Sequence, residues 1–84
     1  MQKMKYLATF YTHFDATKYH KYIRKKGAMA SLKPVPRKLS SSCGSCVVFT
    51  MAGELPLEEL LTAADVERLY QVDGNDYLLL GENE

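Results

Sequence analysis

The first thirty-five residues of this 84-residue chain switch periodicity twice, and that switch limits the fold more than any other feature. Lys5 to Tyr11 is an aromatic and apolar run that reads as a first strand, ended by Thr12 and His13. The apolar positions then move to spacings of three and four, through Ala16, Tyr19, Tyr22 and Ile23, with Lys26 next in the series. That spacing describes one face of a helix. Asp15 or Thr12 can cap it, basic residues fill its last turn, and Gly27 terminates it. Met29 to Val35 alternates as a second strand, which Pro34 and Pro36 finish because proline cannot donate to a ladder. A right-handed crossover then makes strands one and two parallel, with strand three expected to run back between them.

The remainder supplies the pieces that close such a sheet. Cys46 to Met51 is a compact β-branched run and the third strand. Pro56 to Ala64 reads as a short helix, with proline at its start and Glu58 and Glu59 in its first turns. Val66 to Val72 and Asp76 to Leu80 flank Asp73-Gly74-Asn75, a hairpin turn. The fold class expected is α+β: a ferredoxin-like split βαβ sandwich (βαββαβ) with an extra C-terminal β-hairpin arm. Neither linkers nor repeats divide the chain, so residues 1–84 are expected to form one small domain near the size at which stability becomes marginal.

The loop from Pro36 to Ser45 holds the chemistry. Residues 40–46 read Ser-Ser-Ser-Cys-Gly-Ser-Cys and contain both cysteines. A structural cysteine usually sits among apolar neighbours, whereas Cys43 lies between serines and Gly44, which predicts an exposed, reactive thiol. The topology brings the end of strand one, the start of helix one and this loop to the same sheet edge, within reach of Thr12 and His13. An ordinary thiol is only about 3% thiolate at pH 7, and a fall in pKa to about 7 raises that to roughly half. Helix N-terminal amides, a protonated His13, Arg37 or Lys38 would push in that direction. Ser40, Ser41, Ser42 and Ser45, with the Gly44 amide, supply donors for an anionic sulfur species.

A bridge between Cys43 and Cys46 would close only a tiny loop, so the pair does not make a secreted disulfide scaffold, and a reducing compartment fits better. The apolar stretch after Lys3 and Lys5 is too short for a secretory leader, and no run approaches a membrane span. The expectation is a soluble, cytoplasmic protein. Residues 1–50 carry ten basic groups against Asp15 alone, whereas residues 51–84 carry nine acids against Arg68. Such an asymmetry can orient a charged protein partner. Nucleic acid is disfavoured because no strand motif pairs aromatics with basic residues. Self-association to a homodimer stays open.

Other chemistries fit less well. A thioredoxin-like centre places its first cysteine at a helix N-terminus, but Val47-Val48-Phe49-Thr50 is strand material. A zinc site would need a second knuckle beside Cys43 and Cys46, and His13 and His20 lie seven apart, so no metal is expected. A calcium loop starting at Asp73 fails because Leu78 occupies the glycine position. His20 reads as a solvated helix residue, His13 as a turn residue, and the tyrosines as core and sheet residues.

The stretch Pro34-Val35-Pro36-Arg37-Lys38-Leu39-Ser40-Ser41-Ser42-Cys43-Gly44 follows a strand-helix-strand start in which Asp15-Ala16 opens the helix and Gly27 closes it. In this it resembles the selenium/sulfur (Se/S) carrier protein-like family, small bacterial domains with Pro-x-Pro-Arg and Ser-Ser-Cys-Gly segments at this spacing. The resemblance covers residues 5 to 50 or so. It implies that a persulfide or selenopersulfide is held transiently on Cys43, with no permanent cofactor, and relayed from a desulfurase-like protein donor to a protein acceptor. On that reading the chain is a carrier rather than a free-standing enzyme. Two features depart from the family. Cys46 stands where an ordinary strand residue is more usual, and is either a resolving thiol or, on the reading favoured here, a buried strand cysteine. The segment after Met51 has a shorter helix and adds a hairpin. Two alternatives remain: a noncatalytic interaction module with a basic face, and a Cys-x-x-Cys thiol-disulfide exchanger that would use Cys46 as well.

Overall fold

The computed structural model describes residues 3–39, 41–52 and 56–83. The elements run β1 (Lys3–Phe10), α1 (His13–Lys25), β2 (Ala30–Pro34), β3 (Ser45–Ala52), α2 (Leu57–Thr62), β4 (Val66–Asp73) and β5 (Asp76–Glu82). Thr12 is the N-cap of α1. Its hydroxyl accepts the Asp15 amide at 3.2 Å, so one of the orphan donors of the first turn is satisfied. His13 is therefore the first residue of the helix rather than part of the turn before it.

The five strands form one sheet in the order β2-β3-β1-β4-β5, and every neighbouring pair is antiparallel. β3 lies between β1 and β2 and runs against both, so those two strands run parallel to each other. Pro34 forms the last register pair of β2, opposite Ser45. The expected hairpin arm is not an arm. β4 pairs along β1 from Lys5↔Val72 to Phe10↔Val66, and β5 extends the same sheet as its outer edge. The reason lies in the two faces of β4: Val66 and Leu69 are buried on the helix side and Tyr70 on the other, so β4 is stable only inside a sheet. Gly74, with φ of 60°, occupies the first position of the two-residue turn that joins them.

Both helices cover one face. Tyr6, Ala8 and Phe10 of β1 and Val47 and Phe49 of β3 meet Ala16, Tyr19 and Ile23 of α1 and Leu60 of α2. Tyr19 is central, with its ring 5.1 Å from Phe10 and 6.0 Å from Phe49. Its hydroxyl is buried without a hydrogen-bond partner among the described residues, and burial raises its pKa. α2 approaches β5 closely at Gly81, where a Cβ would stand 2.7 Å from Leu61 Cδ1. The opposite face carries a smaller cluster of Leu7, Cys46 and Tyr70. No helix among the described residues covers it; Val35 and Leu39, from the loop between β2 and β3, pack onto it. His20 is half-buried rather than solvated, with Nε2 3.2 Å from the Ala30 carbonyl, and so ties α1 to β2. No helix among the described residues is long and apolar enough to cross a membrane.

Candidate functional site at the Cys43 loop

Residues 35–39 leave β2 along the helix-free face, and residues 41–44 lead into β3. The base of this loop closes through the Val35 amide, which donates to the Gly44 carbonyl at 3.0 Å. Gly44 has φ of 74°, a left-handed conformation that side chains resist, and nothing lies within 4 Å of where its Cβ would be. Glycine is needed there for the backbone, which must turn sharply from Cys43 into β3.

Three further ties hold the cysteine segment on the sheet edge. Ser41 Oγ donates to the Phe10 carbonyl at 3.0 Å, at the end of the central strand. Ser42 is gripped twice by Glu67 of β4: its amide donates to Oε1 at 3.3 Å and its hydroxyl to Oε2 at 2.9 Å. His13 Nδ1 stands 3.1 Å from Ser45 Oγ, which fixes the start of α1 against the start of β3. Cys43, inside this frame, is half-buried against the helix-side core. Its Sγ donates to the Ser45 carbonyl at 3.5 Å and lies 3.9 Å from Ser41 Oγ.

Cys46 is different in kind. It is fully buried, belongs to the cluster on the other face of the sheet, and donates to the Pro34 carbonyl at 3.6 Å. Burial pushes its thiol up to about 11, an effect the Lys33 cation offsets only in part. Period-two alternation along β3 explains the contrast, because Val47 and Phe49 face the helices while Cys46 and Val48 face away.

The structure therefore gathers Cys43, Ser41, Gly44 and Ser45, with His13 touching the group through Ser45 and Ser42 turned to Glu67. Lys38 is engaged elsewhere. Lys38 Nζ donates to the Asn75 carbonyl at 2.7 Å and lies 3.9 Å from Asp76 Oδ1, at the turn between β4 and β5. Arg37 is exposed. Ser40 lies outside the described residues. Glu67 is absent from the sequence reading, since nothing in its spacing marks it; knowledge that β4 pairs with β1 would have brought it to this edge. Among the described residues no group of three or more His, Cys, Asp or Glu side chains could hold a metal ion.

An α+β sheet with a fixed, serine-lined cysteine loop at one edge defines the class as a small thiol-bearing domain. The chain belongs to the family described as "Putative Se/S carrier protein-like", whose model matches residues 5–71. The match extends through α2 and most of β4, past the residues 5 to 50 or so that carry the resemblance, and β5 lies beyond it. No curated protein and no solved structure gives a significant match.

Proposed function

We propose that the protein carries sulfur or selenium as a persulfide or selenopersulfide on Cys43. The family supports a carrier role, and one observation supports the chemistry: the accessible thiol has no resolving thiol on its own side of the sheet. A neighbouring thiol would attack a persulfide, form a disulfide and release the cargo, which is what a carrier must avoid. Cys46, buried and held largely protonated, is kept out of that reaction.

The exchange is redox-neutral. The Cys43 thiolate attacks the outer sulfur of a persulfide on the donor protein. The sulfur–sulfur bond to the donor cysteine breaks, and that cysteine leaves as a thiolate. A thiolate on the acceptor then attacks the outer sulfur now held on Cys43, and Cys43 leaves in turn. Selenium in the outer position follows the same course. We assign the Ser45 hydroxyl, beside His13 Nδ1, and the Gly44 amide as donors to the anionic outer atom, and Ser41 Oγ, 3.9 Å from the Cys43 sulfur, joins them by turning its proton away from the Phe10 carbonyl. The protein is on this reading a cytoplasmic carrier that meets a desulfurase-like donor and a protein acceptor. We read the fold as a ferredoxin-like split βαβ sandwich, on the order β2-β3-β1-β4, with β5 added at the edge.

Cyanide releases outer sulfur from persulfides as thiocyanate, which gives a test. After incubation with a cysteine desulfurase and cysteine, the repurified protein should yield about one thiocyanate per chain, and Cys43→Ser none. Equal yields from both would reject the proposal.

A further inference from the structure

The helix-free face carries a pocket of about 160 Å³ between the sheet and the loop that leads to Cys43. Leu7, Val48 and Val72 line it along the strands, with Pro36 and Tyr77 also at its walls. Lys5 of β1 and Lys33 of β2 line it from different strands. Lys5 stands opposite Thr50 and Lys33 opposite Cys46, so the two cations flank Val48 on either side along β3. Both lysines are exposed, neither takes part in an ion pair among the described residues, and no acidic residue lines the pocket.

Size and charge select the occupant. Free small-molecule sites usually measure about 300–1,000 Å³, whereas a cavity of about 150 Å³ holds one benzene-sized body. The pocket thus suits a single apolar side chain, and its paired cations suit carboxylates beside that side chain. One wall of the pocket belongs to the base of the cysteine loop: Pro34 and Pro36 are among its lining, and the Val35 amide between them donates to the carbonyl of Gly44, the residue after Cys43, whose side chain packs toward the other face of the sheet.

We propose that this pocket docks the protein that exchanges sulfur with Cys43, through an acidic segment of that partner bearing one leucine- or phenylalanine-sized anchor. The proposal rests on the carrier reading for the identity of the partner, but the docking site itself does not need the thiol.

The test is a titration of the full ¹⁵N-labelled chain with a capped peptide holding phenylalanine between two glutamates, followed by amide chemical shifts. Saturable shifts are expected at Lys5, Lys33, Val48, Val72 and Tyr77. Replacing the phenylalanine by alanine, or the glutamates by lysines, should weaken binding by about tenfold or more, as should Lys5→Glu combined with Lys33→Glu. The dispersed spectrum of that double variant checks that it is folded. Cys43→Ser should bind like the wild type, so a failure of docking is distinguishable from a failure of the carrier reading, which sulfur loading of Cys43 reads separately. No saturable shift at millimolar peptide, shifts centred on the exposed Tyr11 and Phe14 instead, or indifference to the charge reversals would overturn the proposal. So would tighter binding of an oligothymidylate at the same residues, which would make the face a nucleic-acid surface.

Discussion

Cys43 and Cys46, three residues apart, pack against opposite faces of the same sheet, one half-exposed beside the helices and the other fully buried beneath the β2–β3 loop. A disulfide between them would require the start of β3 to leave its register with β1 and β2. Mild oxidation of the reduced protein should therefore give no intramolecular bridge. Non-reducing electrophoresis should show a covalent dimer that forms in the wild type and in Cys46→Ser but not in Cys43→Ser. An internal Cys43–Cys46 bridge found by peptide mapping would favour the thiol-disulfide exchanger.

Glu67 holds the cysteine loop through two hydrogen bonds to Ser42, at 3.3 and 2.9 Å. Glu67→Ala should cost only about 1 kcal/mol of global stability, since both bonds lie at the surface. Its larger effect should be local. Hydrogen exchange at the Ser42, Cys43 and Gly44 amides should speed up several-fold while the β1 and β3 amides keep their protection.

Gly44 adopts φ of 74° with open space around it, so the penalty for a side chain there is one of backbone and not of packing. Gly44→Ala should destabilise the protein by about 1–2 kcal/mol in urea unfolding, and Gly44→Asn by less, because asparagine tolerates the left-handed region. Gly44→Val should be the worst of the three.

The pH dependence of Cys46 has a definite sign. Its thiol titrates at about 11 in the folded chain, above an ordinary thiol near 9. A group whose folded pKa is raised gives stability that is complete below the unfolded pKa and is lost as pH rises through the folded one. Stability should thus fall between pH 9 and 11 more steeply in the wild type than in Cys46→Val, while the two curves run parallel below pH 8. Parallel curves throughout would mean that Cys46 is more solvated than its burial indicates.

The strand-helix-strand start and the third strand were legible because their periodicities are strong and local. Thr12, Tyr19, Ile23 and Gly27 each carry the signal their place in the fold requires. The fate of the C-terminal hairpin was not legible. Its turn is written in Asp73-Gly74-Asn75, but its docking along β1 depends on burying Val66, Leu69 and Tyr70 on two faces, a choice made between distant segments. The site divides in the same way. Cys43, Gly44 and their serines are neighbours in the chain and could be read there, whereas Glu67 arrives only with β4. Lys38, expected to attend the sulfur, is drawn away by Asn75 and Asp76, and no local pattern reports that competition.

The most direct test of the account is the intact mass of the protein after incubation with a cysteine desulfurase and either cysteine or selenocysteine, compared across wild type, Cys43→Ser and Cys46→Ser. The account predicts a single-atom sulfur or selenium adduct that reductant removes, present in the wild type and in Cys46→Ser and missing from Cys43→Ser. An unmodified wild type, or an adduct that survives loss of Cys43, would contradict it.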